Sequence, residues 1–438
     1  MHLLDRDTQL NQHSWYEAST NRPPYEPQAK GEIDCDLLVV GGGFAGLSAA
    51  LEMAKLGYKV ALLEARNLCW AASGRNGGQA LPGLSSGMKL IEKQLGLASA
   101  RRIWQMSCEA VELITKRITT YKIECEWAPG SITCADSPRK ARDLAQELAY
   151  MQQVYGYEQQ WFDRNQVRDL IASPRYYAAS LEPIGGHLHP LKYGLGLARA
   201  CRDAGVSMYE HSPVNRLEYK GDKVFAHTGK ARLQASYALL AGNCLLEQFA
   251  PRLAASLARR IMPVGTYIGA TSPLGETLAR ELIPGNQAVC DNSFVLDYFR
   301  FGGDTSLLFG GRVSYSTRTP RNLVGVMQQR IARIFPQLEG NTQAQVRLAW
   351  GGFVDITANR APDFGRIRPN VYYLQGFSGH GVALTNLAGL LVAEAISSQA
   401  ERFDLFAAID HRTFPGGRLL RTPSLALAMI YYRLRDLC

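Results

Sequence analysis

CDLLVVGGGFAGLSAALEMAKLGYKVALLEA, Cys35–Ala65, is the stretch on which the fold turns. Cys35–Val40 is a short apolar run bounded by charge and glycine, the pattern of a strand buried in a parallel sheet. Residues 44–57 repeat apolar positions at helical spacing and close on Gly57, a C-terminal helix signal. Tyr58–Ala65 is a second buried strand, so a β-α-β unit fits into about 30 residues. Between strand and helix, Gly41-Gly42-Gly43-Phe44-Ala45-Gly46 satisfies G-x-G-x-x-G. Gly41 permits the tight turn, Gly43 lets the backbone approach a pyrophosphate, and Gly46 lets helix and strand pack closely. The helix N-terminus then offers amide N–H groups and a positive dipole end to phosphates. Glu64, 18 residues after Gly46, ends the second strand beside Ala65. A carboxylate there accepts hydrogen bonds from ribose hydroxyls and disfavours the 2′-phosphate of NADP.

The next segment favours FAD over NAD. Ala72-Ser73-Gly74-Arg75-Asn76-Gly77-Gly78-Gln79 is a small, hydrogen-bonding, glycine-rich loop. Such a loop wraps a pyrophosphate and admits a bulky planar ring close to the backbone. A second G-x-G-x-x-G is absent, so nothing obvious would hold a nicotinamide nucleotide as well. A redox CxxC is absent too.

Outward from this core, residues 1–34 are polar and proline-punctuated, an arm expected to lie over the surface. Residues 89–122 and 138–156 are helix-rich. Several short strands are expected over 180–240, and a helix over 191–204. Strand-like segments recur over 261–315, with a hairpin turn at Gly302-Gly303-Asp304. A helix is expected over 321–335. Val371–Phe377 is a strand leading through a glycine-containing turn into a helix over 381–398. The expected fold is α/β, α+β overall: a Rossmann-like FAD-binding domain built from separated segments plus an antiparallel-sheet substrate domain. The expected division is an arm 1–34, nucleotide segments 35–90, 181–250 and 346–400, a mainly helical substrate part 91–180, a substrate sheet 251–345 and a tail 401–438.

Composition excludes several classes. The chain has 438 residues, 46% hydrophobic and 20% charged, close to ordinary globular usage. No run of 18 apolar residues marks a membrane span. The N-terminus lacks the pattern of a signal peptide. Lys plus Arg is 48 against 39 for Asp plus Glu, a net +9 that favours anionic ligands. Basic runs and nucleic-acid motifs are missing, so an RNA-associated flavoprotein is a distant alternative and no nucleic acid is expected. Nine scattered cysteines without CxxC spacing suggest a reduced, cytoplasmic chain with no metal site. The tail 411–438 mixes arginines with apolar residues, a basic amphipathic pattern able to touch a membrane surface or simply to pack on its own protein.

SWYEAS at 14–19, VVGGGFAGLSAAL at 39–51, ASGRNGGQ at 72–79, GGHLHPL at 185–191, LLAGN at 239–243 and YYLQGFSGHGVALT at 372–385 together resemble the D-amino-acid oxidase superfamily of FAD-dependent amine oxidoreductases. The resemblance runs from about Ser14 to the helix near Ser398 and implies specific roles. Ser73, Gly74, Arg75, Asn76, Gly77 and Gln79 should follow the pyrophosphate and the flavin edge. Val214 should touch the adenine end, and Ala241, Gly242 and Asn243 should make a second strand-end contact. Gly376, Phe377, Ser378, Gly379, His380 and Gly381 should pass close to the isoalloxazine ring. Some relatives attach flavin through a cysteine late in the catalytic lobe. Nothing between Cys290 and Cys438 is cysteine, so FAD should be non-covalent. The segment 350–365, WGGFVDITANRAPDFG, departs from the pattern and leaves the substrate open.

The resemblance implies an oxidoreductase acting on CH–NH or CH–NH2 groups, with hydride passing to flavin N5. Gamma-glutamylputrescine or a related polyamine conjugate would give aldehyde, ammonia and, with oxygen as acceptor, hydrogen peroxide. A dehydrogenase feeding a membrane quinone, peripheral to the membrane, is the alternative. Four residues are catalytic candidates. His380 lies between glycines and could tune the flavin or merely shape the turn. Tyr298 and Arg300 share a strand face and could hold an acidic substrate group, or pack the sheet. Arg312 follows Gly310-Gly311 and could sit near the flavin or on the surface. His187 and His189 share one side of a strand, and Trp350 is a core candidate.

Overall fold

The structure, a computed structural model, describes residues 14–250, 253, 255–293, 296–314 and 322–414. Two sheets organise them. The first holds β1 (Gly31–Val40), β2 (Val60–Leu63), β7 (Ser207–Tyr209), β8 (Arg216–Lys220), β9 (Lys223–His227), β10 (Ala231–Leu240), β16 (Asp363–Arg368) and β17 (Val371–Gln375). Its spine, in the order β7-β2-β1-β10-β17, is parallel, with β16 antiparallel at one end and the β8–β9 hairpin leaning on β10. Val40 pairs with both Leu63 and Leu240, and Leu240 pairs with Tyr373. That register brings Gly41, Glu64 and Ala241 together just beyond the carboxyl ends of the strands. Ligands of open parallel sheets bind in such a crevice.

The second sheet holds β3 (Gln79–Ala80), β4 (Ala128–Ala135), β5 (Gln160–Phe162), β6 (Ala178–His187), β11 (Ile261–Pro273), β12 (Ala288–Asp291), β13 (Tyr298–Phe301), β14 (Ser306–Ser314) and β15 (Val346–Thr357). It is antiparallel apart from the β4–β12 pair. The turn between β13 and β14 holds the expected Gly302-Gly303-Asp304.

Helices of ten or more residues are α1 (Phe44–Lys55), α2 (Met88–Thr120), α3 (Pro138–Tyr155), α4 (Pro190–Asp203), α5 (Leu323–Ile334) and α6 (Gly381–Ile396). Gly96, at φ +80°, breaks α2 near its start. The first ten residues of α1 are all buried, as a helix between a sheet and other helices requires. A buried polar network ties four helices together. Arg117 of α2 donates to Glu52 of α1 at 2.8 Å and to Asn386 of α6 at 2.9 Å, and Tyr193 of α4 donates to the same Asn386 oxygen at 2.7 Å. Burial opposes the Glu52 charge, but Arg117 and Lys55 more than offset it and hold the carboxyl below its ordinary range.

Three expectations need correction. β6 and β15 belong to the second sheet, although their residues fall within the nucleotide segments drawn at 181–250 and 346–400. The strand expected in SLEPIGGHLHP is β6, placed in the other sheet, whereas Gly351 and Gly352 hide β15, a strand held by its pairing with β11. α2, expected in the substrate part 91–180, shares its main apolar core with α1, α4 and α6. The arm does not simply lie on the surface, because Trp15 and Tyr16 are buried. No helix among the described residues is long and apolar enough to cross a membrane. The tail beyond residue 414, and the contact proposed for it, lies outside the described residues.

Candidate active site

Two cavities meet along Ala72, Asn76, Phe353, Val354, Gly379 and Val382. The smaller, about 200 Å³, is the crevice at the strand ends. Gly41, Gly43, Phe44, Ala45, Glu64, Ala65, Ser73, Asn76, Val214, Ala241, Gly242, Asn243, Phe377, Gly379 and Gly381 line it, all singled out from sequence. Gly46 lies behind it, where an added Cβ would collide with the Gly41 carbonyl. Gly74 is likewise packed inward, against the Cys69 carbonyl. At Gly41, with φ +115°, a Cβ would stand 2.6 Å from the Ala241 carbonyl oxygen. The crevice therefore has backbone for its floor. Gly43 caps α1 with no side chain, which leaves first-turn N–H groups for an anion. Ser73 Oγ accepts from Phe44 N–H at 3.0 Å.

Glu64 faces the crevice from β2. Its carboxylate accepts from the N–H groups of Gly42 at 2.7 Å and Arg66 at 2.8 Å. Burial pushes its pKa up, and those backbone donors pull it back. Asn243 Oδ1 is buried at the same crevice without a hydrogen-bond partner. Backbone floor, helix end, carboxylate and unsatisfied amide fit an adenine dinucleotide.

The larger cavity, about 820 Å³, is a chamber lined mainly by the second sheet and the loops 72–85 and 378–380. Arg75, Asn76, Gly77, Gln79, Tyr298, Ser378, Gly379 and His380 reach it. The loop 72–79 is held at nearly every residue. Asn76 Nδ2 donates to the carbonyls of Ala72 and Ser73, both at 2.9 Å, and Asn76 Oδ1 accepts from Gly78 N–H at 2.7 Å. Arg75 Nε donates to Gly351 O at 2.8 Å, while Trp350 Nε1 donates to Arg75 O at 3.1 Å. Tyr16 donates to Asn76 O at 2.7 Å.

Arg300 is not positioned to hold an acidic substrate group. It is 1% exposed and off the chamber wall, and it donates to Gly77 O at 2.7 Å, Phe301 O at 3.0 Å and the Tyr16 hydroxyl at 3.2 Å. It supports the loop from behind. Tyr298, two residues away, does reach the chamber, with its ring against Gly77 and Gly310. Arg312 sits on β14 opposite Tyr267, and its side chain lies outside the described residues.

His380 is the N-cap of α6. Its Nε2–H donates to Pro82 O at 2.9 Å, and burial lowers its pKa. Gly376 lies off both walls, where its N–H donates to the Asp355 carboxylate. Asp355 is fully buried beside the turn and lines the crevice, and burial pushes its pKa up to about 7. His187 donates to Asn286 O, and His189 caps α4, so neither joins the wall.

Sequence reasoning missed Tyr16, Asp355 and Glu182. Tyr16 was noted only as part of a motif, and Asp355 lies in the divergent segment. Glu182, on β6, carries no local signal at all.

Family and relatives agree with this geometry. The family described as FAD dependent oxidoreductase, DAO, matches residues 36–395. The chain is 40% identical over 423 residues to gamma-glutamylputrescine oxidoreductase of Escherichia coli (strain K12), covering 97% of this chain and 98% of the relative. It is 37% identical to the probable oxidoreductase OrdL of Haemophilus influenzae, covering 99% of each. The fold is that of glycine oxidase from Geobacillus kaustophilus, with a TM-score of 0.72 at 20% identity, over 88% of this chain and all of that one. L-proline dehydrogenase from P. horikoshii superposes with a TM-score of 0.71 at 18% identity, over 87% of this chain and 98% of that one. The chain belongs to the FAD dependent oxidoreductase (DAO) family and is an FAD-dependent amine or amino-acid oxidoreductase.

Proposed function

We propose that the protein oxidatively deaminates gamma-glutamylputrescine or a closely related polyamine conjugate, giving the aldehyde and ammonia, with oxygen reduced to hydrogen peroxide. The observation that carries this reading is the 40% identity to gamma-glutamylputrescine oxidoreductase along nearly the full length of both chains. A chamber of about 820 Å³ is also roomy enough for an extended conjugate. FAD, when bound, supplies the two-electron acceptor for the C–N bond.

The chain's own residues bind and orient. The crevice from Gly41 to Gly46, with Glu64, Val214 and Ala241–Asn243, would hold the nucleotide end. The loop Ser73–Gln79 and the turn Gly376–Gly381 would flank the reacting end. The N-terminus of α6, 16 residues long, directs its positive end towards that turn. His380 keeps its Nε2 proton committed to Pro82. The apolar part of the wall, from Leu81, Val264, Phe353 and Ile356, withholds water and favours the uncharged amine that oxidation requires. FAD would be held without a covalent bond. Burial pushes two of the three wall thiols, Cys69 and Cys290, up to about 12 and about 11, which keeps them protonated and inert.

The test is anaerobic. The purified protein is mixed with gamma-glutamylputrescine, absorbance at roughly 450 nm reports the cofactor, and air is then admitted. Rapid bleaching, prompt recovery of colour and peroxide are expected. Sluggish recovery would move the function to a dehydrogenase, and absence of bleaching would overturn the substrate.

A further inference from the structure

Glu182 is a buried carboxylate on the chamber wall, 5% exposed. It sits on β6, opposite Ser131 of β4. Gln159 Nε2 donates to one carboxylate oxygen at 3.2 Å and Ile184 N–H to the other at 2.9 Å. Burial raises its pKa, and the groups that pull it back are a phenol and backbone N–H groups, with no lysine or arginine among them. The phenol is Tyr157, 8% exposed, whose hydroxyl stands beside Glu182. The Trp104 ring, also on the chamber wall, packs on Tyr157 at 4.8 Å between centroids. Ser131, Thr133 and Cys290 continue the same stretch of wall.

A buried carboxylate without a cationic partner is costly, and a ligand that brings a cation removes the cost. An indole beside it adds attraction for the same charge. We propose that Glu182 and Trp104, backed by the Tyr157 hydroxyl, form a subsite for a second, cationic nitrogen of the substrate, distinct from the nitrogen that is oxidised. The two nitrogens need opposite surroundings. The oxidised one must be neutral, whereas a carboxylate favours the ammonium form. Diamines and amino-acyl polyamine conjugates carry such a second nitrogen and simple monoamines do not. The inference rests on the amine-oxidation reading above and sharpens it to a class of substrate.

The holoenzyme and its Glu182→Gln and Glu182→Asp variants would be compared in two measurements. Anaerobic bleaching is followed with putrescine and with butylamine, its counterpart lacking the second nitrogen. Calorimetry follows butyltrimethylammonium, a fixed cation that cannot become a neutral amine. The native protein should prefer putrescine in kcat/KM. Glu182→Gln should cut that preference, and the affinity for the fixed cation, by roughly 10- to 100-fold. Glu182→Asp, which keeps the charge and guards against misfolding, should retain part of both. Unaltered preference and affinity in Glu182→Gln would overturn the subsite. Equal losses for both amines would also overturn it, placing Glu182 at the reacting nitrogen. Failure of every amine to bleach the flavin, with cation binding still dependent on Glu182, would sink the amine-oxidation reading and leave the subsite standing.

Discussion

The crevice at the strand ends and the larger chamber meet at Asn76, Phe353 and Gly379, but they are built by opposite means. The crevice is made of backbone. Its key contacts arise within residues 41–46 and at strand ends in exact register, so a single added methyl group has nowhere to go. The chamber is lined by residues of the second sheet, of α2 and α6 and of the loops around them. Its precision is borrowed: Arg300, Trp350 and Tyr16 hold the loop 75–77 from behind. Backbone sites are unforgiving at one residue, and side-chain sites distribute their tolerance over many.

The largest expected effect tests the first half of that contrast. Gly41→Ala puts a Cβ against the Ala241 carbonyl at a φ of +115° that alanine resists. FAD should be lost by at least about 100-fold in affinity, read as a colourless preparation that added FAD restores poorly. A yellow, stable Gly41→Ala protein would show that the crevice can yield.

A smaller effect tests the second half. Arg300→Lys keeps the charge but loses the fork that spans Gly77 and Tyr16. Because Arg300 positions the loop rather than the substrate, kcat should fall about tenfold for amines with and without a carboxylate, with FAD retained. A selective rise in KM for carboxylate-bearing substrates would instead put Arg300 in contact with substrate and erase the contrast.

The smallest effect concerns Asp355, which ties the second sheet to the turn at Gly376. Its folded pKa is raised by burial to about 7, above the ordinary 3.8. Its stabilising contribution is therefore complete below the ordinary value and is lost as pH rises through about 7. An Asp355→Asn side chain does not titrate and still accepts from Gly376 N–H. Its melting temperature should gain on the native protein by roughly 4 °C or more between about pH 5 and about pH 8. A constant gap across that range would mean that Asp355 stays ionised.

Sequence alone determined the β-α-β core with its glycine turn 41–46 and Glu64, and the loop 72–79. Those features depend on turn conformation, helix capping and strand-end carboxylates, which neighbouring residues encode directly. Tertiary structure decided which residues support the loop and which line the chamber. Arg300 and Gly77 lie 223 residues apart, and Trp350 and Arg75 lie 275 apart. β6 was legible as a strand but its sheet was not, and in β15 Gly351 and Gly352 obscure the pattern that pairing with β11 imposes. Tyr298 and Arg300 share the alternation that sequence displays, yet one meets the chamber and the other the back of a loop. Period two fixes the side of a sheet to which a residue points, and only the packing of the chain above that side fixes what the residue touches.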